Sequence, residues 1–161
     1  MWPSIALLAF VTLQRLVELP VARANTRRLL AQGGYEVAAG HYPLVVALHA
    51  CWLIALWWLA PGRPIHIPFL LLFALIEAGR IWVLRTLGRR WTTRIIVVPG
   101  EKLVANGPYR FVSHPNYLVV IAEIAVLPLV FGLWQAALIF SLLNAAVLTI
   151  RIRAENRALG R

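Results

Sequence analysis

Two pairs of polar side chains in the C-terminal half have the types and the spacing of a reaction site. His114 and Tyr117 lie three residues apart, and Arg151 and Glu155 lie four residues apart. On a helix, these spacings place both members of a pair on one side. The donor fork of an arginine matches an anionic carboxylate or enolate, and histidine and glutamate can act as general bases. The four residues therefore fit chemistry on an oxygen atom of a substrate.

A tight corner between two apolar segments brings these pairs together. The fourth and fifth segments of the chain meet at Phe131, Gly132, Leu133 and Trp134, and each is about 25 Å long by helical rise. The two segments are therefore predicted to cross the membrane and return as a helical hairpin, which places both polar pairs at the same membrane face. The alternative interpretation is that they are ordinary interfacial residues that hold helix ends to lipid.

The composition predicts an all-α integral membrane protein. The chain is 61% hydrophobic and 14% charged, which is too apolar for a soluble domain. The net charge of +10 falls in bursts between apolar runs, so nucleic-acid binding is not expected. With Cys51 as the sole cysteine, no cysteine metal cluster can form, and no metal is expected. Five transmembrane helices are predicted, over Trp2–Leu19, Tyr42–Ala60, Ile67–Leu84, Tyr117–Leu133 and Trp134–Ile150.

The basic residues predict the orientation of these helices, because short basic loops are retained in the cytosol. Thirteen of the sixteen lysines and arginines fall in the first connection, the third connection and the tail. Five spans with the N-terminus outside and the C-terminus in the cytosol satisfy this distribution, whereas an even number of spans would not. The thirteen residues are Arg23, Arg27, Arg28, Arg85, Arg89, Arg90, Arg94, Lys102, Arg110, Arg151, Arg153, Arg157 and Arg161.

Ionisable side chains inside the predicted spans must face protein or a cavity, because each costs a few kcal/mol in lipid unless it is paired or near water. Arg15 with Glu18, and Glu77 with Arg80, are each three residues apart and are predicted to pair on their own helices. Glu123 has no basic neighbour one turn away, so it needs a partner on another helix or stays protonated. We take it as a candidate substrate-binding residue, whereas His49 and Asn144 are interpreted as satisfied core groups.

The third connection, from Gly88 to Ser113, is predicted to form a small ordered cap on the cytosolic surface. Thr92 to Val98 is rich in β-branched residues, and Pro99-Gly100 is a turn signal, which together favour a short hairpin. The connection then leads into the fourth helix, where Pro115 is well placed in the first turn.

From Gly88 to Arg161 the sequence resembles the isoprenylcysteine carboxyl methyltransferase family of membrane enzymes. The resemblance is carried by Glu101-Lys102-Leu103-Val104, by Gly107-Pro108-Tyr109-Arg110, by His114-Pro115-Asn116-Tyr117, and by Arg151 with Glu155. The N-terminal half is more similar to the small bacterial branch of that family, through Gln14 to Leu19, Asn25 and His41-Tyr42-Pro43. That branch is associated with the methylation of alkylpyrone or alkylresorcinol-type lipids.

The resemblance implies a single membrane domain over residues 1–161, with helices 1–3 in 1–87 and the cofactor-binding half in 88–161. It implies that S-adenosylmethionine binds from the cytosol between the cap and the tail helix. Arg151 would then meet the lipophilic acceptor, and His114 or Glu155 would act as the base if that acceptor is a hydroxyl. Two departures from the family pattern are Ser113 and Asn156. The implied cofactor-binding residues are Glu101, Lys102, Leu103, Val104, Tyr109, His114, Pro115, Asn116, Tyr117 and Glu155.

The function predicted on this basis is methyl transfer to a carboxylate or hydroxyl of an isoprenoid or alkyl-lipid acceptor, in a bacterial inner membrane. The acceptor is expected to be a lipophilic small molecule or a lipidated substrate. Two other hypotheses remain open. One is an NADPH-dependent membrane reductase, because sterol reductases are similar in the C-terminal region. The other is a non-enzymatic lipid-binding protein, which the basic flanks would suit.

Overall fold

A computed structural model describes all residues from 1 to 161. Five α-helices and one two-stranded antiparallel sheet make up the fold, joined by short connections with single turns of 3-10 helix. In chain order, the elements are α1 (Trp2–Ala31), β1 (Tyr35–Val37), α2 (Tyr42–Leu59), α3 (Ile67–Leu87), β2 (Ile95–Val97), α4 (Pro115–Val130) and α5 (Trp134–Leu159).

Four of the helices, α1, α2, α3 and α5, are long and apolar enough to cross a membrane. Large apolar side chains on their outer surfaces are exposed, among them Trp58, Leu75 and Leu142, and hydrocarbon is the solvent that suits such a surface. The chain is therefore an integral membrane protein. Helix α4 has 16 residues and is shorter than the other four, so its crossing of the bilayer stays a prediction.

Helix α1 is longer than the predicted span, which ended at Leu19. It continues through Pro20 to Ala31, and the chain turns away at Gly33 with a φ of +87°, a conformation that glycine adopts without strain. The assignment of Arg23, Arg27 and Arg28 to a loop was therefore wrong, because they lie on a helical extension. The residues after the apolar run are mostly good helix formers. The end of the apolar run at Leu19 is therefore not the end of the helix.

The cap is built from two connections and not from a hairpin within one. Strand β2 pairs antiparallel with β1 of the first connection, with Tyr35 opposite Val97 and Val37 opposite Ile95. The turn at Pro99-Gly100 is present, since the Glu101 amide donates to the Val98 carbonyl over 3.2 Å. However, no strand follows it, so the predicted hairpin was wrong. An ion pair of 2.7 Å between Arg94 and Glu36 joins the two connections instead.

The extension of α1 holds this cap by hydrogen bonds. Asn25 donates its amide to the Trp91 carbonyl over 2.7 Å, and the hydroxyls of Thr26 and Thr92 are 2.7 Å apart. The first and third connections therefore lie at the same end of the helix bundle, as the distribution of basic residues predicted.

The apolar core closes the opposite end of the bundle. Trp52, Leu56, Phe131 and Leu127 are fully buried there and pack in one cluster with the first turns of α1. At the cap end the helices leave a cavity between them. Packing thus makes one end of the bundle rigid and leaves the other open for a site.

A cluster of charged side chains ties α1, α3 and α4 together. Arg80 of α3 donates from Nε to Glu18 of α1 over 2.8 Å and from a terminal nitrogen to Glu123 of α4 over 3.2 Å. Arg15 bonds both carboxylates as well, at 3.3 Å from Glu18. The predicted pairing of Arg15 with Glu18 is confirmed. The predicted pairing of Glu77 with Arg80 was wrong, because Arg80 reaches two carboxylates on other helices.

The cluster predicts a large effect of one substitution on stability. Replacing Arg80, which is 4% exposed, by methionine would leave the buried carboxylate of Glu123 and the partly buried carboxylate of Glu18 with one cation. We expect Arg80→Met to lower the free energy of unfolding by about 3–5 kcal/mol, as is typical for a buried pair that loses one partner.

The measurement is thermal or denaturant unfolding of the purified protein in detergent. Arg85→Met is the matched control, because Arg85 is an exposed arginine on the same helix and its removal should change stability by less than about 0.5 kcal/mol. Equal losses for the two variants would show that the cluster does not stabilise the bundle.

Candidate active site

One cavity of about 800 Å³ lies between the cap and the helices. Its walls come from all five helices and both strands, and more than half of its lining residues are hydrophobic. Polar side chains gather beneath the cap, and apolar side chains such as Val147 and Leu148 line the cavity between the helices. A second, smaller group of polar side chains, which includes Arg15 and Asn144, lies at the deep end. The cavity therefore joins a polar compartment beneath the cap to a largely apolar one between the helices.

The two polar pairs that the sequence singles out meet in this cavity. Nδ1 of His114 lies 3.5 Å from a carboxylate oxygen of Glu155, and the guanidinium carbon of Arg151 lies 5.9 Å from the centre of the Tyr117 ring. The rings of His114 and Tyr117 are 5.4 Å apart. The predicted convergence is confirmed, and the roles of the four residues stay predictions.

The local sequence places each pair. His114 precedes a proline and has a non-helical backbone with φ −132° and ψ 61°, in keeping with the steric exclusion of the helical conformation before proline. Pro115 then opens α4 at its first turn. On the other side of the hairpin, α5 runs without interruption past the predicted end at Ile150 to Leu159. This continuation gives Arg151 and Glu155 the common face that their spacing predicted.

Arg151 is held by the cap and is almost wholly buried. It is 6% exposed, and one terminal nitrogen donates to the Thr93 carbonyl over 3.0 Å. Its Nε has no partner within the chain. A buried guanidinium with a free donor is prepared to bind an oxygen atom of a ligand in the cavity.

Asn156, a departure from the family pattern, positions His114. Nε2 of His114 lies 2.9 Å from Oδ1 of Asn156, so the histidine donates its Nε2 proton there and Nδ1 is turned to Glu155. The carboxylate oxygen of Glu155 that faces Nδ1 is buried and has no hydrogen bond within the chain. In this arrangement Nδ1 can accept a proton, and Glu155 would stabilise the resulting imidazolium.

Most of the implied cofactor-binding residues line the cavity, and two implied site residues do not. Pro115 and Glu123 are absent from the walls; Pro115 starts α4 and Glu123 faces the two arginines of the charged cluster. Glu101 forms an ion pair of 2.7 Å with Arg90 at the cap. The residues of the predicted set that line the cavity are Glu101, Lys102, Leu103, Val104, Tyr109, His114, Asn116, Tyr117, Arg151 and Glu155.

Sequence reasoning missed the part of the site that comes from the N-terminal half. Tyr35, Tyr42 and Leu53 line the cavity, and Tyr42 also stacks on the Arg94 guanidinium at 4.1 Å. The β-prone triplet at Tyr35–Val37 was the available signal, but three residues are too few to predict a partner strand. The interpretation of Asn144 as a satisfied core group was wrong, because its side-chain oxygen is buried without a partner. His49 does bond within the chain, through Nδ1 to the Val45 carbonyl at 2.8 Å.

Tyr109, in the turn that precedes α4, is held in its neutral form. Burial, and then the negative charge of Glu155, raise the pKa of its phenol to about 12. The hydroxyl therefore stays protonated at physiological pH and acts as a hydrogen-bond donor or acceptor, not as a base.

The raised pKa of Tyr109 predicts a measurable titration. An absorbance titration of tyrosinate in the wild type, minus that of Tyr109→Phe, should show one group with a midpoint near pH 12. Because the folded pKa lies above the ordinary value of 10.0, Tyr109 destabilises the fold as pH rises from 10 towards 12, and Tyr109→Phe should remove that loss. Glu155→Gln should lower the midpoint, since it removes the negative charge. A midpoint at the ordinary value in the wild type would contradict this environment.

Comparison with known proteins identifies the family of the chain. The profile of the isoprenylcysteine carboxyl methyltransferase (ICMT) family matches residues 69–161, a range that contains both polar pairs. The uncharacterized protein YpbQ of Bacillus subtilis (strain 168) is 37% identical over 166 aligned residues, which cover 95% of this chain and 94% of that protein. No solved structure matches the chain. Because the family profile covers more than half of the sequence, the chain belongs to the isoprenylcysteine carboxyl methyltransferase family.

Proposed function

We propose that the chain transfers a methyl group from S-adenosylmethionine to a carboxylate or hydroxyl oxygen of a lipophilic acceptor, at the cytosolic face of a bacterial inner membrane. The observation that carries this proposal is the cavity of about 800 Å³, which is lined by polar side chains beneath the cap and by largely apolar walls between the helices. A water-soluble cofactor and a lipid can meet only where a polar compartment joins an apolar one.

The cap end of the cavity fits the cofactor by its donor set. Trp91 contributes an indole nitrogen and Glu155 a carboxylate oxygen, both buried and without partners in the chain, and both residues line the cavity. Such atoms are costly unless a ligand satisfies them. We assign cofactor binding to these two residues and to the loop from Glu101 to Val104.

When bound, S-adenosylmethionine supplies an electrophilic methyl group on a positively charged sulfonium. The aromatic residues Trp91, Tyr109 and Tyr117 all line the cavity, and the faces of such rings attract a cation. With no metal required, alignment of the acceptor and exclusion of water supply most of the rate.

Arg151 is the residue we assign to the acceptor. Its anchoring to the Thr93 carbonyl fixes the guanidinium, and its free Nε can hold an anionic oxygen in place for attack. A carboxylate acceptor needs no base. For a hydroxyl acceptor, Nδ1 of His114 is the group we assign to take the proton, because Glu155 faces it and would stabilise the cation.

Glu123 contributes by position in this proposal. It is 1% exposed and bonds Arg80 and Arg15, and both arginines line the deep end of the cavity. By holding them, Glu123 would shape the surface that an acceptor meets without touching it. The basic residues of the cap and the tail would face the cytosol and bind anionic lipid.

The direct test uses purified protein, radiolabelled S-adenosylmethionine and a lipid extract. We expect calorimetry to show binding of S-adenosylmethionine and not of NADPH, and we expect label to appear in the lipid fraction. Arg151→Met should lower methyl transfer by about 10- to 100-fold, the worth of a charge-assisted hydrogen bond, with cofactor affinity nearly unchanged.

Arg153→Met is the matched control, because Arg153 is exposed on the same helix two residues away, and it should retain full activity. Absence of S-adenosylmethionine binding would reject the proposal. Equal activity of the two variants would reject the assignment of Arg151 to the acceptor.

A further inference from the structure

A buried carboxamide lies at the deep end of the cavity with no partner for its oxygen. Asn144 on α5 is 2% exposed, its Oδ1 has no hydrogen bond within the chain, and the residue lines the cavity. An unsatisfied polar atom at this depth costs folding free energy, and polar groups within a bilayer face protein or a cavity instead of lipid. The structure therefore presents, on the cavity wall, a hydrogen-bonding group that no other group of the chain satisfies.

Asn144 is aligned with Arg151 along the same helix. The two residues are seven apart, which is close to two helical turns, so both lie on one face and are separated by about 10 Å. Val147 and Leu148 lie between them and also line the cavity. Helix α5 thus presents a polar group, an apolar stretch and a second polar group to whatever the cavity binds.

Side chains from other helices make this deep end polar as well. Arg15 of α1 lines it and has an Nε without a partner. His49 of α2 lines it too, and because Nδ1 is used by the Val45 carbonyl, Nε2 is left for a ligand. An acceptor that ends in plain hydrocarbon would leave these groups without hydrogen-bond partners. An acceptor with a second polar group at that end would bond to them.

We infer that Asn144 is a specificity-determining residue that binds a second hydrogen-bonding group of the acceptor, a hydroxyl or a carbonyl, about 10 Å from the oxygen held by Arg151. The preferred acceptor class is then an amphiphile with two polar groups on an apolar spacer, and a plain alkyl or prenyl chain is disfavoured. The inference rests on the proposed function only in taking the Arg151 end as the end that is methylated.

The test measures binding without any cofactor, with decanoate and 10-hydroxydecanoate as the two probes. These differ by one terminal hydroxyl. Apparent dissociation constants of both probes are measured by calorimetry on protein in nanodiscs. For each variant we take the ratio of the decanoate constant to the 10-hydroxydecanoate constant. Ratios can be compared between variants because each probe partitions into the nanodisc lipid equally in every sample. We expect the preference for 10-hydroxydecanoate to fall about tenfold in Asn144→Leu, the worth of one hydrogen bond.

Thr149→Val is the matched control. Thr149 is an exposed residue of the same helix that bonds the Ala145 carbonyl, so its removal should leave the ratio at the wild-type value. Asn144→Ala should repeat the loss of preference, which keeps the test decisive if the leucine variant does not fold. An unchanged ratio in the folded Asn144 variants, or an equal change in Thr149→Val, would overturn the inference.

The outcomes separate this inference from the proposed function. If S-adenosylmethionine does not bind but the ratio falls as expected, the transferase proposal fails and the two-group site stands. If methyl transfer is observed but the ratio does not change, the transferase proposal stands and the assignment of Asn144 fails.

Discussion

The tight corner between α4 and α5 is the constraint on which the cavity depends. Gly132 turns the chain there with a φ of +69°, and a Cβ at this position would lie 2.9 Å from the ring of His66, so only glycine fits without displacement. Helix α5 is ten residues longer than α4. Its final turns therefore pass the start of α4, and this overhang sets Arg151 and Glu155 beside His114 and Tyr117.

The N-terminal helices form the other walls of the cavity, and ion pairs hold these helices in place. Arg80 bonds Glu18 and Glu123, which fixes α1 against α3 and α4 in a solvent that cannot hydrate an unpaired ion. The extension of α1 then reaches the cap through Asn25 and Thr26. One buried cluster thus determines where the cap lies above the cavity, although none of its carboxylates belongs to the proposed reaction.

The sequence predicted the structure where one residue type or one spacing determines the local conformation. It did not predict contacts between residues that are far apart in the chain. Apolar runs and the corner at Gly132 predicted the helices and the convergence near His114. The pairing of β1 with β2 joins residues about sixty positions apart, and no local pattern specifies it. Arg80 had a suitable carboxylate one turn away in Glu77, yet Arg80 bonds Glu18 and Glu123 on neighbouring helices, and Glu77 accepts a hydrogen bond from Gln14 instead. The unpartnered oxygen of Asn144 is visible only once the helices are packed.

Thiol crosslinking in the native membrane tests the hairpin and the shared cavity most directly. In a Cys51→Ser background, cysteines at positions 114 and 156 replace two side chains whose tips, Nε2 and Oδ1, are 2.9 Å apart. We expect rapid linkage of the two thiols by a short bifunctional methanethiosulfonate reagent, which bridges the space that the longer native side chains filled, detected by mass spectrometry of the joined peptides. We expect little linkage between positions 114 and 157, because Arg157 is exposed on another side of α5. No linkage between 114 and 156, or equal linkage with 157, would contradict the common site.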